Sequence, residues 1–101
     1  MYSIVYTTTS SKEEASKIAR ELVEKKLAAC VNIHPIESVY PWEGNIEEDK
    51  EFALSIKTVT SGIQEVTENI RKMHSYELPA IISWKISGEE KYLEWISDNV
   101  K

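Results

Sequence analysis

Apolar residues in this chain recur with two different periods, and the change of period divides the sequence into structural elements. Residues 3–8 are β-branched and aromatic without a breaker, which predicts a strand. Ser11, followed three residues later by Glu14, has the spacing of a capping box and predicts a helix start. A helical stripe follows it, made of Ala15, Ile18, Ala19, Leu22 and Val23.

The same order of strand, helix and strand returns in the second half of the chain. Extended segments are predicted at 28–33, 36–42, 50–59 and 80–86, with Pro35 interrupting between the first two. Ser61 with Gln64 repeats the capping-box spacing and predicts a second helix, whose apolar stripe ends at Met73. Residues 89–99 predict a short terminal helix, and Gly44-Asn45 marks a turn.

This order predicts an α+β fold on the ferredoxin-like plan, βαββαβ with a C-terminal helix. Two such units form a four-stranded antiparallel sheet with both main helices on one face. The segment 36–50 between the halves is expected to be a projecting hairpin arm. At 101 residues, the whole of 1–101 is expected to form one domain.

Alternation along the strands predicts which residues lie on each face of the sheet. The residues expected under the helices are Val31, Ile33, Phe52, Leu54, Ile56, Ile82, Trp84 and Ile86. Those expected on the opposite face are Ser3, Val5, Thr7, Ala28, Cys30, Asn32, Ala53, Ser55, Ile81 and Ser83. The second set is small and weakly apolar, which favours packing against other copies of the chain over a modestly polar, solvated face.

Composition excludes some classes of partner. The net charge of −5 argues against nucleic-acid binding and gives no support to binding an anionic membrane. No apolar run approaches the length of a bilayer span, and the first residues lack the features of a signal peptide. The single cysteine, Cys30, has no partner within the chain, so a cytoplasmic, reducing location is expected.

The best candidate for metal chemistry lies where the second helix ends. Met73 and His74 place a thioether beside an imidazole, with Glu77 three residues further on, and this combination suits copper. The alternative is that His74 caps the helix and hydrogen-bonds a neighbour. Two interpretations of Cys30 are considered: it is either a residue of a functional site or a small, buried apolar residue. No nucleophile elbow or glycine-rich phosphate loop is present, so no catalytic activity is expected.

Three phrases, taken together, are similar to a known family. They are Leu27-Ala-Ala-Cys-Val-Asn-Ile33, Tyr40-Pro-Trp-Glu-Gly44 and His74-Ser-Tyr-Glu-Leu-Pro79, followed by Tyr92-Leu-Glu-Trp-Ile96. In this order they resemble the CutA family, the divalent-cation tolerance proteins, over nearly the whole chain.

The resemblance implies a homotrimer with sheets packed around a three-fold axis. In it the arm extends strand pairing between subunits, and Tyr40 and Trp42 are expected to anchor the interface. The family's copper ligation, ascribed to a His pair and a Cys, carries over to His74 alone, because this chain has Met73 and Tyr6 at the other positions.

A second interpretation rests on the similarity of this trimeric plan to the nitrogen-regulatory PII proteins, which bind small molecules in clefts between subunits. Such a cleft would lie between the 74–79 loop, the arm and a neighbour's Cys30 strand. Its expected lining residues are Trp42, Lys57, Tyr76 and Glu77. Fold analogy alone does not identify the ligand.

Overall fold

Strands and helices alternate along the chain, and the computed structural model describes all of residues 1–101. The elements in chain order are β1 (Tyr2–Thr9), α1 (Lys12–Glu24), β2 (Cys30–Trp42), β3 (Asn45–Val59), a short 3-10 turn (Thr60–Gly62), α2 (Ile63–Met73), β4 (Ile81–Ile86) and α3 (Glu90–Asp98).

The four strands form one sheet in the order β2-β3-β1-β4, and every neighbouring pair is antiparallel. β1 is one of the two inner strands and lies between β3 and β4, the two strands of the second strand-helix-strand unit. The predicted α+β, ferredoxin-like βαββαβ arrangement with a C-terminal helix is confirmed.

The two capping predictions have different outcomes. The side chain of Ser11 accepts a hydrogen bond from the backbone N–H of Glu14 at 3.1 Å, as expected for the start of α1. The Ser61 prediction is wrong, because the 3-10 turn at Thr60–Gly62 delays α2 to Ile63 and leaves its start without a side-chain cap.

The core lies between α1, α2 and the inner face of the sheet. Val5, Leu54 and Ile56 from the sheet are fully buried against Leu22 of α1 and Ile70 of α2. The helices α1 and α2 therefore cover one face, as predicted. The third helix lies on the opposite face, where Tyr92 accepts a hydrogen bond from Lys57 at 3.1 Å.

The predicted facing of β1 and β4 is wrong, whereas that of β2 and β3 is confirmed. Directly opposed residues in an antiparallel pair share a face, and Val5 pairs with both Ile56 and Ser83. The residues that lie on the helix side against expectation are Ser3, Val5, Thr7, Ala28, Ile81 and Ser83, and those on the opposite side are Ile82, Trp84 and Ile86. Both strands carry apolar residues on both parities, so alternation alone does not select a face.

The arm (residues 36–50) continues β2 and β3 beyond the last pairing of β1, which ends at Thr9 and Phe52. Its two-residue tip, Glu43 and Gly44, has φ values of 49° and 83°, the left-handed conformation of a tight hairpin turn. The molecule accordingly measures 45 Å along its longest axis against 23 and 21 Å along the others.

Two prolines lie within β2 and do not interrupt it. Pro35 pairs with Phe52, and Pro41 pairs with Ile46. The strand was expected to break at the first proline. It continues because β2 is the outer strand of the sheet, where a residue without an N–H donor loses no bond to a second neighbour.

Candidate functional site

A cleft of about 600 Å³ lies between the base of the arm and the turn that follows α2. Its size is within the range of small-molecule sites. The lining residues come from β1, the arm, the part of β3 directly after the arm, and the turn that follows α2. They are Tyr6, Thr8, Ile36, Ser38, Val39, Tyr40, Trp42, Glu51, Tyr76, Glu77, Leu78 and Ala80. This set is called the cleft below.

The cleft contains a carboxylate that is almost removed from solvent. Glu51 is only 7% exposed, and its Oε2 accepts a hydrogen bond from the phenol of Tyr76 at 2.6 Å. Burial and then this hydrogen bond raise the pKa of Tyr76 above its usual value, so the phenol remains a donor. The bond attaches the turn after α2 to the base of the arm.

His74 holds this turn in place from behind. Its side chain is fully buried, and its Nε2–H donates to the carbonyl oxygen of Thr8 at 2.8 Å. Its Nδ1 accepts from the backbone N–H of Tyr76 at 3.1 Å. The two rings also pack with centroids 4.8 Å apart. Both ring nitrogens are engaged, and the imidazole thereby positions the aromatic ring that lines the cleft.

Glu14 connects the start of α1 to the same turn. Its carboxylate accepts from the backbone N–H of Ser75 at 2.8 Å and from the Ser75 hydroxyl at 2.9 Å, while His74 Nδ1 lies 3.6 Å away. Burial acts to raise the pKa of Glu14, but the hydrogen bonds from the backbone and side chain of Ser75 outweigh it and lower that pKa below its usual value. The side chain thus serves a tertiary contact in addition to any local cap.

The predicted metal ligands do not make a preformed centre within one chain. Met73 is half-buried, Glu77 is exposed on the cleft lining, and His74 has no free ring nitrogen. No group of three or more His, Cys, Asp or Glu side chains is placed to hold a metal ion. A cation at Nδ1 of His74 would have to replace the N–H of Tyr76.

The structure brings together Tyr40, Trp42, Tyr76 and Glu77, four of the residues singled out by sequence, in the cleft. The phenol of Tyr40 also donates a hydrogen bond to the carboxylate of Asp49 across the arm. This bond is the largest of the causes that raise the pKa of Tyr40 to about 12. Trp42 is 46% exposed.

Cys30 and Lys57 are not part of this cleft. They are register partners at the other end of β2, and Lys57 Nζ lies 5.2 Å from the ring centroid of Tyr92 on α3. The hydrogen bond from Lys57 to Tyr92 raises the pKa of Lys57, with burial opposing the change. Cys30 and Trp42 lie at opposite ends of β2. A cleft lined by both ends of this strand therefore requires a second chain to supply one of them.

Sequence reasoning missed two carboxylates of the site. Glu51 was not among the residues singled out by sequence, although it shares its parity with Ala53 and Ser55 where the arm joins the rest of the sheet. This position, where the arm joins the rest of the sheet, was the sequence feature that could have indicated the burial of Glu51. Glu14 was assigned only to the local cap, and no local signal indicates its bond to Ser75, which lies 61 residues away.

Comparison with known proteins identifies the family. A family model described as CutA1 divalent ion tolerance protein matches residues 3–99. The chain belongs to the CutA1 family. Among CutA1 relatives, the Divalent-cation tolerance protein CutA of Archaeoglobus fulgidus is 46% identical over 102 residues, covering the whole of both chains.

Solved CutA1 structures have the same fold. The structure described as the periplasmic divalent cation tolerance protein CutA from A. fulgidus superposes with a TM-score of 0.97 at 46% identity, covering all of both chains. The Thermus thermophilus Cut A1 structure gives 0.95 at 40% identity over the full length of both. The resemblance drawn from the three sequence phrases is confirmed, and CutA1 membership supports a general role in divalent-cation tolerance. No helix of the chain is long and apolar enough to cross a bilayer.

Proposed function

We propose that this CutA1 protein acts in divalent-cation tolerance as a non-catalytic homotrimer that binds copper, or another divalent cation, weakly at Met73, His74 and Glu77. The observation that carries the proposal is the presence of a thioether, an imidazole and a carboxylate within five residues of one turn, beside an accessible cleft. Soft sulfur and imidazole donors favour copper among the divalent and monovalent first-row ions.

The weakness of the binding follows from the hydrogen bonds of His74. A cation that takes Nδ1 must displace the N–H of Tyr76, and an unpaired, partly buried donor costs about 1–3 kcal/mol. Glu77, being exposed, is available without such a cost. Binding is therefore expected to compete with the geometry of the turn.

Isothermal titration calorimetry with Cu²⁺ tests the metal site. His74→Ala is expected to abolish the saturable heat, and Glu77→Gln, an exposed substitution, to weaken it. His34→Ala is the matched control, because His34 is the other histidine and is exposed on β2, outside the cleft. Unchanged binding in both Glu77→Gln and a folded His74→Ala variant, or no saturable heat in the unmodified protein, would reject the proposal.

Assembly as a homotrimer is supported by apolar side chains that the single chain leaves in solvent. Ile82 is 57% and Trp84 is 45% exposed on the face opposite α1 and α2, and Trp42 projects on the arm. β2 and β4 also each have an unpaired edge. Exposed apolar surface next to free strand edges is typical of subunit interfaces.

The cleft supports a second candidate function, that of a small-molecule sensor of the PII type. The specific observation is a volume of about 600 Å³ with eight hydrophobic residues among its twelve lining residues. Thermal-shift screening against metals, nucleotides and metabolites distinguishes the two candidates. A shift from metals alone would favour the cation site, and a shift from one organic class would favour the sensor.

A cytoplasmic location completes the proposal. It is supported by the single free thiol of Cys30, which forms no disulfide. Fractionation of cells that express the protein, with a periplasmic marker as a control, tests it. Co-fractionation with that marker would overturn the assignment.

A further inference from the structure

We infer that residues 36–40 of β2 form a docking strand for the free edge of β4 from a second copy of the chain, and that Pro35 and Pro41 limit the pairing to this stretch. The inference deepens the proposed homotrimer and rests on it, because the partner strand belongs to another copy. It adds which part of the edge pairs, with which strand, and what sets the limits of the contact.

The two prolines indicate in which direction the backbone of β2 points. Both are paired with β3 in one unbroken register, although neither has an N–H to donate. In an antiparallel pair, alternate residues direct both backbone groups toward the partner strand, and the residues between them direct both groups away. A proline fits the outward position. Pro35 and Pro41 share their parity with Glu37 and Val39, whose N–H groups therefore also point outward.

The same prolines divide the outer edge of β2. A strand that pairs across Pro35 or Pro41 meets a position without a donor, and the ladder loses a hydrogen bond there. The edge of this 13-residue strand therefore offers two short stretches. One is the basal stretch, residues 30–34, and the other is the docking strand, where Glu37 and Val39 supply the outward donors.

The side chains beside the edge distinguish the two stretches. Adjacent strands of one sheet place their side chains on common faces. The apolar side chains that β4 exposes, Ile82 and Trp84, lie on the face opposite α1 and α2. On this face the basal stretch presents the exposed polar residues Asn32 and His34, whereas the docking strand presents the ring of Tyr40. The edge of β4 therefore extends an apolar surface only when it pairs with the docking strand.

Pairing between β2 and β4 is a head-to-tail contact, because the two strands are opposite edges of the same sheet. Contacts of this kind close into a ring when the rotation between copies allows it, and otherwise continue as an open array. A long regular edge would permit several registers and hence several rotations. The two prolines leave one short stretch for β4, which favours a single register and a closed assembly.

Sedimentation equilibrium of the full chain compares Val39→Pro with Val39→Ala. Val39 is 68% exposed, and both variants lose its side chain, but only proline removes the outward donor. Val39→Pro is expected to raise the dissociation constant of the trimer at least about tenfold over Val39→Ala, because the facing carbonyl loses its hydrogen bond. Equal dissociation constants in the two variants would overturn the docking strand.

The controls separate this inference from the homotrimer on which it rests. A monomeric unmodified protein would reject the homotrimer itself, whereas a trimer that Val39→Pro leaves unchanged would reject only the docking strand. Circular dichroism checks that the variants are folded. If Val39→Pro does not fold, Glu37→Pro against Glu37→Ala makes the same comparison at the other outward donor.

Amide hydrogen exchange of the unmodified assembly, followed by NMR, identifies the partner strand. The amide of Val39 and alternate amides of β4 are expected to exchange slowly, and those of β4 to lose protection in Val39→Pro. Slow exchange of Val39 with fast exchange of all the outward amides of β4 would reject β4 as the partner.

The role of the prolines is tested by restoring both donors in the double variant Pro35→Val, Pro41→Val. This variant is expected to form assemblies larger than a trimer, because the whole edge of β2 then pairs in several registers. Sedimentation velocity measures the distribution of species. A single trimeric species in the double variant would overturn the assignment of the prolines as limits of the contact.

Discussion

The two faces of the sheet differ in how completely one chain covers them. On the face under α1 and α2, Val5, Leu54 and Ile56 are fully buried. On the opposite face Ile82 and Trp84 are about half exposed, although α3 packs on this face near Lys57 and Tyr2. The first face supplies the core of the folded chain, whereas the second has apolar surface that only another surface can cover. Folding and the proposed assembly thus depend on different residues of the same strands.

The largest effect is expected from the buried face. Leu54→Ala removes a fully buried side chain from the core and should lower the free energy of unfolding by about 3–4 kcal/mol. Val23→Ala is the control, since Val23 is 41% exposed on α1 and its truncation should cost under about 0.5 kcal/mol. Chemical denaturation measures both. Similar losses in the two variants would contradict the assignment of Leu54 to the core.

The opposite face is tested by the state of assembly. Sedimentation velocity is expected to give a trimer for the unmodified protein. Ile82→Glu should dissociate it, because an unpaired charge buried in an interface costs about 3 kcal/mol or more. Val23→Glu places the same charge on the helical surface and should leave the trimer intact. A monomeric unmodified protein would reject the proposed assembly.

Buried hydroxyl groups under the helices allow a finer comparison. Thr7 is fully buried and its Oγ1 has no hydrogen-bond partner, whereas Thr9 donates to the carbonyl oxygen of Phe52 at 3.0 Å. Thr7→Val should therefore stabilise the protein by about 1 kcal/mol, and Thr9→Val should destabilise it by about the same amount. Thermal and denaturant unfolding measure the two changes. A shift of the same sign in both variants would show that the hydroxyls are not distinguished by their partners.

A last effect of about the same size concerns pH. Because the folded state lowers the pKa of Glu14 below 4.5, this group contributes stability that is present above about pH 4.5 and is lost as the pH falls through the folded-state value. Glu14→Gln should lower the free energy of unfolding at pH 7 by about 1 kcal/mol and flatten its acid limb.

Glu13→Gln is the control for the pH experiment, since Glu13 is an exposed neighbour in the same first turn of α1. Unfolding curves from pH 3 to pH 7 compare the three proteins. An acid limb in Glu14→Gln as steep as that of Glu13→Gln would remove Glu14 as its source.

Local patterns were sufficient for much of the fold. The strand and helix order, the Ser11 cap and the hairpin turn at Gly44 all depend on residues within a few positions of one another. The phrases around Cys30, Trp42 and His74 also led to the correct family. For the cleft, sequence identified Trp42, Tyr76 and Glu77, but it also included Lys57, which lies elsewhere in the single chain.

What sequence alone determined is therefore the set of elements and their order, because hydrophobic period, capping and turn chemistry act over short distances along the chain. The tertiary structure alone decided which face β1 and β4 present to the helices, the burial of Glu51 beneath Tyr76, and the bond from Glu14 to Ser75. Each of these depends on strand register or on contacts between residues 25 or more positions apart. A one-residue change of register would move every side chain of a strand to the other face of the sheet, and local residue propensities do not indicate which register is adopted.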